Sequence, residues 1–178
     1  MESAVTLEDH IAAIRQMAAN RPYMDLDRVG IYGSSGGGFA TAHALIDFPD
    51  FFKVGVASAG NHEQRAYLST WGGIYHGPFG EVDYDKVFAG RNAEMLQGRL
   101  LLAHGELDDN VHPAGTMRLV DALIKAGKQF DMLIMPNVHH GISGDPYFQR
   151  RLQNYFIRHL RGADLPSDSD LVPAGGYE

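Results

Sequence analysis

Leu7, Ile11, Ile14 and Ala18 recur at the three- and four-residue spacing of one helical face, and Thr6-Leu7-Glu8-Asp9 reads as the capped start of that helix. Asn20-Arg21-Pro22 ends it. Arg28-Val29-Gly30-Ile31-Tyr32 is a short apolar run of β-formers stopped by Gly33, which predicts a buried strand. From Gly37 the helical pattern returns through FATAHALIDF as far as Pro49, and residues 52–57 (FKVGVA) read as a second strand. Residues 60–97 are less regular; a short helix is expected around Gln64 to Trp71, before the loop WGGIYHGPFG. Arg99 to Ala103 predicts a third strand running into the charged loop HGELDDNVHP. Pro113 opens a helix that Gly127 ends, residues 130–135 (FDMLIM) form a fourth strand, and Tyr147 to Leu160 a terminal helix.

Strands alternating with helices on short connections predict an α/β fold: a mostly parallel sheet of about four strands flanked by helices. The 178 residues suit one core, and the closing stretch PSDSDLVPAGGYE has the composition of a flexible tail. Fifteen basic against twenty-two acidic residues leave a net charge of −7, which argues against nucleic acid and anionic membrane as partners. The sequence has no apolar run long enough to span a membrane and no secretory leader pattern. Zero cysteines exclude a thiol nucleophile and leave the compartment open.

Residues 32–39, YGSSGGGF, place glycines and two serines between a strand and a helix. A linker does not belong inside one core. The phosphate-loop pattern fails because Phe39 and Ala40 stand where Lys and Ser/Thr are required, and the dinucleotide fingerprint fails because position 35 is serine. Gly-x-Ser-x-Gly fits in one register, with Ser35 at the centre of Gly33 to Gly37. In such an elbow the chain turns so sharply that side chains two residues before and after the serine would collide, so glycine is expected at both places.

A serine hydroxyl needs a base, and the base an orienting acid, supplied in that fold from loops after later strands. Glu106, Asp108 and Asp109 follow the third strand; His139 and His140 follow the fourth. A metal site built from His104, His112, His139 and His140 lacks any familiar ligand spacing.

Three separated motifs, GSSGGG, HGELDDNVH and HHGI, resemble those of the catalytic domain of the prolyl oligopeptidase family of serine peptidases, in its dipeptidyl peptidase IV-like branch. The resemblance implies a partial α/β-hydrolase fold over residues 1–162, the C-terminal portion of the peptidase domain, followed by the tail at 163–178. It implies Ser35 as nucleophile, Asp108 as orienting acid and His140 as general base. It also implies that the Gly36 backbone N–H supplies one half of the oxyanion hole and that Asn110 helps to hold the substrate. Tyr67, Trp71 and Tyr75 resemble the aromatic wall of a pocket for a small residue such as proline or alanine, Trp71 standing where the family usually has tyrosine.

The reaction so implied is hydrolysis of peptide bonds without metal or organic cofactor. The alternatives are a carboxylesterase or acylaminoacyl hydrolase, and a non-catalytic fragment. The family's sheet is larger than four strands, and its second oxyanion donor, a tyrosine, precedes the matched region. Weak activity is therefore expected of this chain, along with a homo-oligomer formed through an exposed sheet edge.

Overall fold

In a computed structural model that describes residues 6–165, four strands form one parallel sheet. They are β1 (Val29–Ser34), β2 (Phe52–Ser58), β3 (Arg99–Gly105) and β4 (Asp131–Met135), in the spatial order β1-β2-β3-β4. Parallel neighbours need crossovers. These contain α2 (Gly36–Asp47), α3 (Ser69–Tyr75) and α4 (Ala114–Lys125), while α1 (Leu7–Ala18) precedes the sheet and α5 (Pro146–Phe156) follows it.

The two faces of the sheet are buried separately. Leu100 and Leu102 of β3 and Ala57 of β2 pack with Leu7 and Ile11 of α1, Leu45 and Ile46 of α2, and Leu119 and Leu123 of α4. Leu101 and Ala103, with Val54 and Val56, turn to the other side and meet Ile142 and the α5 residues Phe148, Leu152 and Tyr155. Because both faces are covered, β2 and β3 read as continuous apolar runs rather than alternating ones.

Several local expectations differ from what is observed. The Thr6 side chain makes no capping bond; the first turn of α1 starts instead with the His10 N–H donating to the Thr6 carbonyl at 3.1 Å. β1 runs two residues further than the sequence pattern suggests, to Ser34. The expected helix at 64–71 is broken. A 3-10 turn at Gln64–Ala66 ends at Tyr67, whose backbone is extended (φ −119°, ψ 178°), and α3 begins at Ser69. The turn is set by Glu63, whose side chain accepts from the Arg65 N–H at 3.1 Å and from the Arg65 guanidinium at 2.7 and 2.9 Å. The last helix loosens into a π-turn at Ile157–Arg161, closed by Gly162 in the left-handed region (φ 68°).

Among the described residues β1 has no strand on its outer side, and Tyr32 there is 66% exposed. This is the edge through which the sequence suggests association. No described helix is long and apolar enough to cross a membrane. The expected tail lies, from residue 166 onward, outside the described residues.

Candidate active site

At the carboxyl end of β1 the chain turns directly into α2 through Ser35, whose φ of 57° and ψ of −122° lie where a non-glycine residue is strained. The turn is braced from β2. The Ser35 N–H donates to the Ser58 carbonyl at 2.9 Å, and the Ser58 hydroxyl donates to the Gly33 carbonyl at 3.2 Å. A Cβ on Gly33 would stand 2.4 Å from the Gly37 carbonyl carbon, which confirms the steric need before the serine. The corresponding need two residues after it is not found: a Cβ on Gly37 would meet nothing within 4 Å. Gly38 carries that constraint instead, since its Cβ would lie 2.5 Å from the Ser58 carbonyl oxygen. Gly36 is the first residue of α2, so its N–H has no acceptor earlier in the helix and is free to meet an anion.

The loops after β3 and β4 are laced together. The Glu106 N–H donates to the Met135 carbonyl at 2.9 Å and the Leu107 N–H to the Val138 carbonyl at 3.0 Å. This brings Asp108 and His140 into contact, with His140 Nδ1 2.8 Å from Asp108 Oδ2. The carboxylate is buried and its other oxygen accepts from the Val111 N–H at 2.8 Å and the Asn110 N–H at 3.0 Å. Burial pushes the Asp108 carboxyl up, but the His140 hydrogen bond and those two amides outweigh it and hold it below the ordinary carboxylate value. An ionised carboxylate at this place fixes the imidazole with Nδ1 protonated and Nε2 turned to other work.

The remaining polar residues of these loops are placed differently. Asp109 and His139 are exposed and 3.7 Å apart. Glu106 accepts from the Asn137 N–H at 3.4 Å, and His112 accepts from the Ala114 N–H at 3.1 Å. Ser35 and His140 make no hydrogen bond with each other in this arrangement; in substrate-free sites that bond is commonly long and closes when substrate binds.

The aromatic residues do gather beside the elbow, though not as one helical stripe, because Tyr67 precedes α3. Trp71 meets Tyr67 edge-on at 5.8 Å between ring centroids and Tyr75 at 4.5 Å. The Tyr67 hydroxyl donates to Asn110 Oδ1 at 3.1 Å, so the aromatic cluster and the loop after β3 are joined. The Trp71 indole lies 3.4 Å from where a Cβ on Gly36 would be, which places it against the first turn of α2.

A profile of the prolyl oligopeptidase family matches residues 2–163. The chain belongs to the prolyl oligopeptidase family. It is 35% identical over 165 residues to dipeptidyl peptidase 8 of Homo sapiens, covering 88% of this chain and 18% of that relative. Among solved structures it resembles dipeptidyl peptidase 4 of Porphyromonas gingivalis, with a TM-score of 0.74, 34% identity, and coverage of 84% of this chain and 22% of the other. An acylaminoacyl peptidase matches with a TM-score of 0.75 at 23% identity, over 91% of this chain and 28% of that one, a likeness of fold alone. The four-stranded sheet is thus part of an α/β-hydrolase fold, and this member of the prolyl oligopeptidase family spans about a fifth of the length of the relatives it matches.

Three residues beside the site carry weight that motif reading does not give them: Ser58, which braces the elbow, and His104 with Thr116, which stand behind Asp108. The sequence signal for Ser58 is its position at the end of β2, in register with Ser34. His104 opens the HGELDDNVH motif without a role assigned to it there, and the structure places it in β3 rather than in the loop that follows.

Proposed function

We propose that this chain forms the catalytic region of a serine peptidase that cleaves peptide bonds after small residues such as proline or alanine. Ser35 attacks the carbonyl carbon, His140 takes the hydroxyl proton and returns it to the departing amine, and water then releases the acyl group by the reverse of the same steps. Asp108 holds the imidazole and stabilises its charged form. The Gly36 N–H faces the oxyanion, and Tyr67, Trp71, Tyr75 and Asn110 hold the substrate beside it. The observation that carries this reading is the 2.8 Å contact of a buried, ionised Asp108 with His140 at the same sheet end as the strained Ser35. The test is labelling by a fluorophosphonate. Ser35 should form the adduct, Ser35→Ala should abolish it, and Ser34→Ala should leave it; labelling that survives Ser35→Ala would overturn the assignment.

A further inference from the structure

The Asp108 carboxylate has four hydrogen-bonding neighbours, and one of them plays no part in the chemistry above. Oδ1 accepts from the Asn110 and Val111 N–H groups; Oδ2 is shared between His140 Nδ1 at 2.8 Å and His104 Nε2 at 3.1 Å. His104 is fully buried, with Nε2 also 2.8 Å from the Val111 carbonyl and Nδ1 2.8 Å from the Thr116 hydroxyl.

Those partners determine where the proton of His104 sits. Both neighbours of Nε2 are acceptors, so Nε2 carries a hydrogen. Burial, opposed by the bonds to Val111 and Asp108, holds the imidazole below the ordinary histidine value, so the ring is neutral and Nδ1 is bare. The Thr116 hydroxyl then donates to Nδ1. One hydroxyl, one imidazole and one carboxylate thus run in series from α4 to His140.

We propose that His104, fixed as its Nε2–H tautomer by Thr116, is a positioning residue for the Asp108–His140 pair. This rests on the reading of those two as acid and base and adds a residue to it. With all four acceptor directions of the carboxylate occupied, Asp108 cannot rotate, so His140 is aimed by a fixed partner. His104 also draws negative charge from the oxygen that His140 uses. A carboxylate with one donor fewer attracts the imidazolium proton more strongly, so loss of His104 makes His140 harder to deprotonate. The titratable groups that face His104 are Asp108 and His140 from the loops after β3 and β4, and His62 from the loop after β2. The α4 contact, Thr116, carries no charge.

Nitrogen-resolved NMR of the histidine rings, followed through a pH series on the whole chain, tests this without requiring turnover. In the wild type, His104 should show a protonated Nε2 and a bare Nδ1 near neutral pH. His104→Leu and His104→Asn, the second too short to reach Oδ2, should each move the His140 titration upward by about half a pH unit. His104→Gln, whose amide can reach Oδ2, should return it to the wild-type curve. A His104 protonated on Nδ1, or a His140 curve indifferent to Leu and Asn alike, would overturn the proposal; if Leu prevents folding, Asn and the wild-type tautomer still decide. The peptidase reading fails separately. An unlabelled Ser35 with a His140 that responds to His104 sinks that reading alone, whereas a labelled Ser35 with an unresponsive His140 sinks this one alone.

Discussion

His140 Nδ1 lies 2.8 Å from Asp108 Oδ2, across two loops that the chain separates by 32 residues. Replacing Asp108 by Asn puts an amide where the carboxylate stood, and an imidazole facing that amide loses the partner that stabilises its charged form. Asp108→Asn is expected to slow fluorophosphonate labelling of Ser35 by about 10³–10⁴-fold with the fold intact by circular dichroism. Asp109→Asn, on an exposed side chain, is expected to leave the rate within about twofold. Equal effects of the two would remove Asp108 from its role.

The elbow glycines are expected to separate into two classes. Gly33→Ala and Gly38→Ala place a Cβ 2.4 and 2.5 Å from backbone atoms, contacts that force the chain apart and cost about 1–3 kcal/mol or more. Gly37→Ala meets open space in a helix, where alanine is favoured over glycine by about 0.5–1 kcal/mol. Denaturant midpoints of the three variants check the order; a Gly37→Ala variant as unstable as the other two would contradict it.

Acid sensitivity is expected from His62, a fully buried ring next to Gly60 with no hydrogen-bond partner on either nitrogen among the described residues. Burial, aided by the nearby His104 and His43, holds its pKa down to about 3, against about 6.5 in the unfolded chain. Below about pH 6.5 the unfolded chain therefore binds the extra proton, and stability is lost progressively as the pH falls toward about 3. At pH 5 this single group accounts for a loss on the order of 2 kcal/mol relative to pH 8. His62→Leu removes the titration, so its stability should fall less between those pH values, as read by urea unfolding at each. The carboxylates of Asp47, Glu63 and Asp108, all held below their ordinary values, act lower on the pH scale and equally in both proteins.

Tyr67 is expected to act through its hydroxyl and Tyr75 through its ring. Tyr67→Phe removes the bond to Asn110 and should lower kcat/KM on an Ala-Pro chromogenic amide by roughly 2–10-fold, mostly through KM. Tyr75→Phe keeps the ring against Trp71 and should leave kcat/KM unchanged. A Tyr67→Phe variant with unchanged kcat/KM would mean that the contact to Asn110 is ordinary packing, and a Tyr75→Phe variant with lowered kcat/KM would move the hydroxyl role to Tyr75.

The parts legible in the sequence are those whose cause is local or recurs in motifs. The four strands and the four long helices follow from apolar runs and their stops, and the elbow register from the spacing around Ser35. Asp108 and Asp109 look alike in the chain; separating them takes the burial of one and the exposure of the other, or a family resemblance. What was not legible depends on contacts between distant segments. The need for glycine at position 38 comes from a carbonyl on β2, and the break before α3 comes from a side-chain clasp between Glu63 and Arg65. The part played by His104 depends on Thr116, twelve residues on in α4, which no periodicity reveals.

The lacing of the β3 and β4 loops also bears on how the site is lost. The backbone bonds from Glu106 and Leu107 clasp the two loops together directly past Gly105 and Met135, the last pair of β3 with β4, so Asp108 and His140 stand on loops tied to the end of the sheet rather than on separate flaps. Parting them means breaking this clasp at the sheet end. The amides of Glu106 and Leu107 should accordingly exchange with solvent as slowly as those of the neighbouring strands, and heating should abolish the labelling proposed for Ser35 at the temperature where the sheet itself melts.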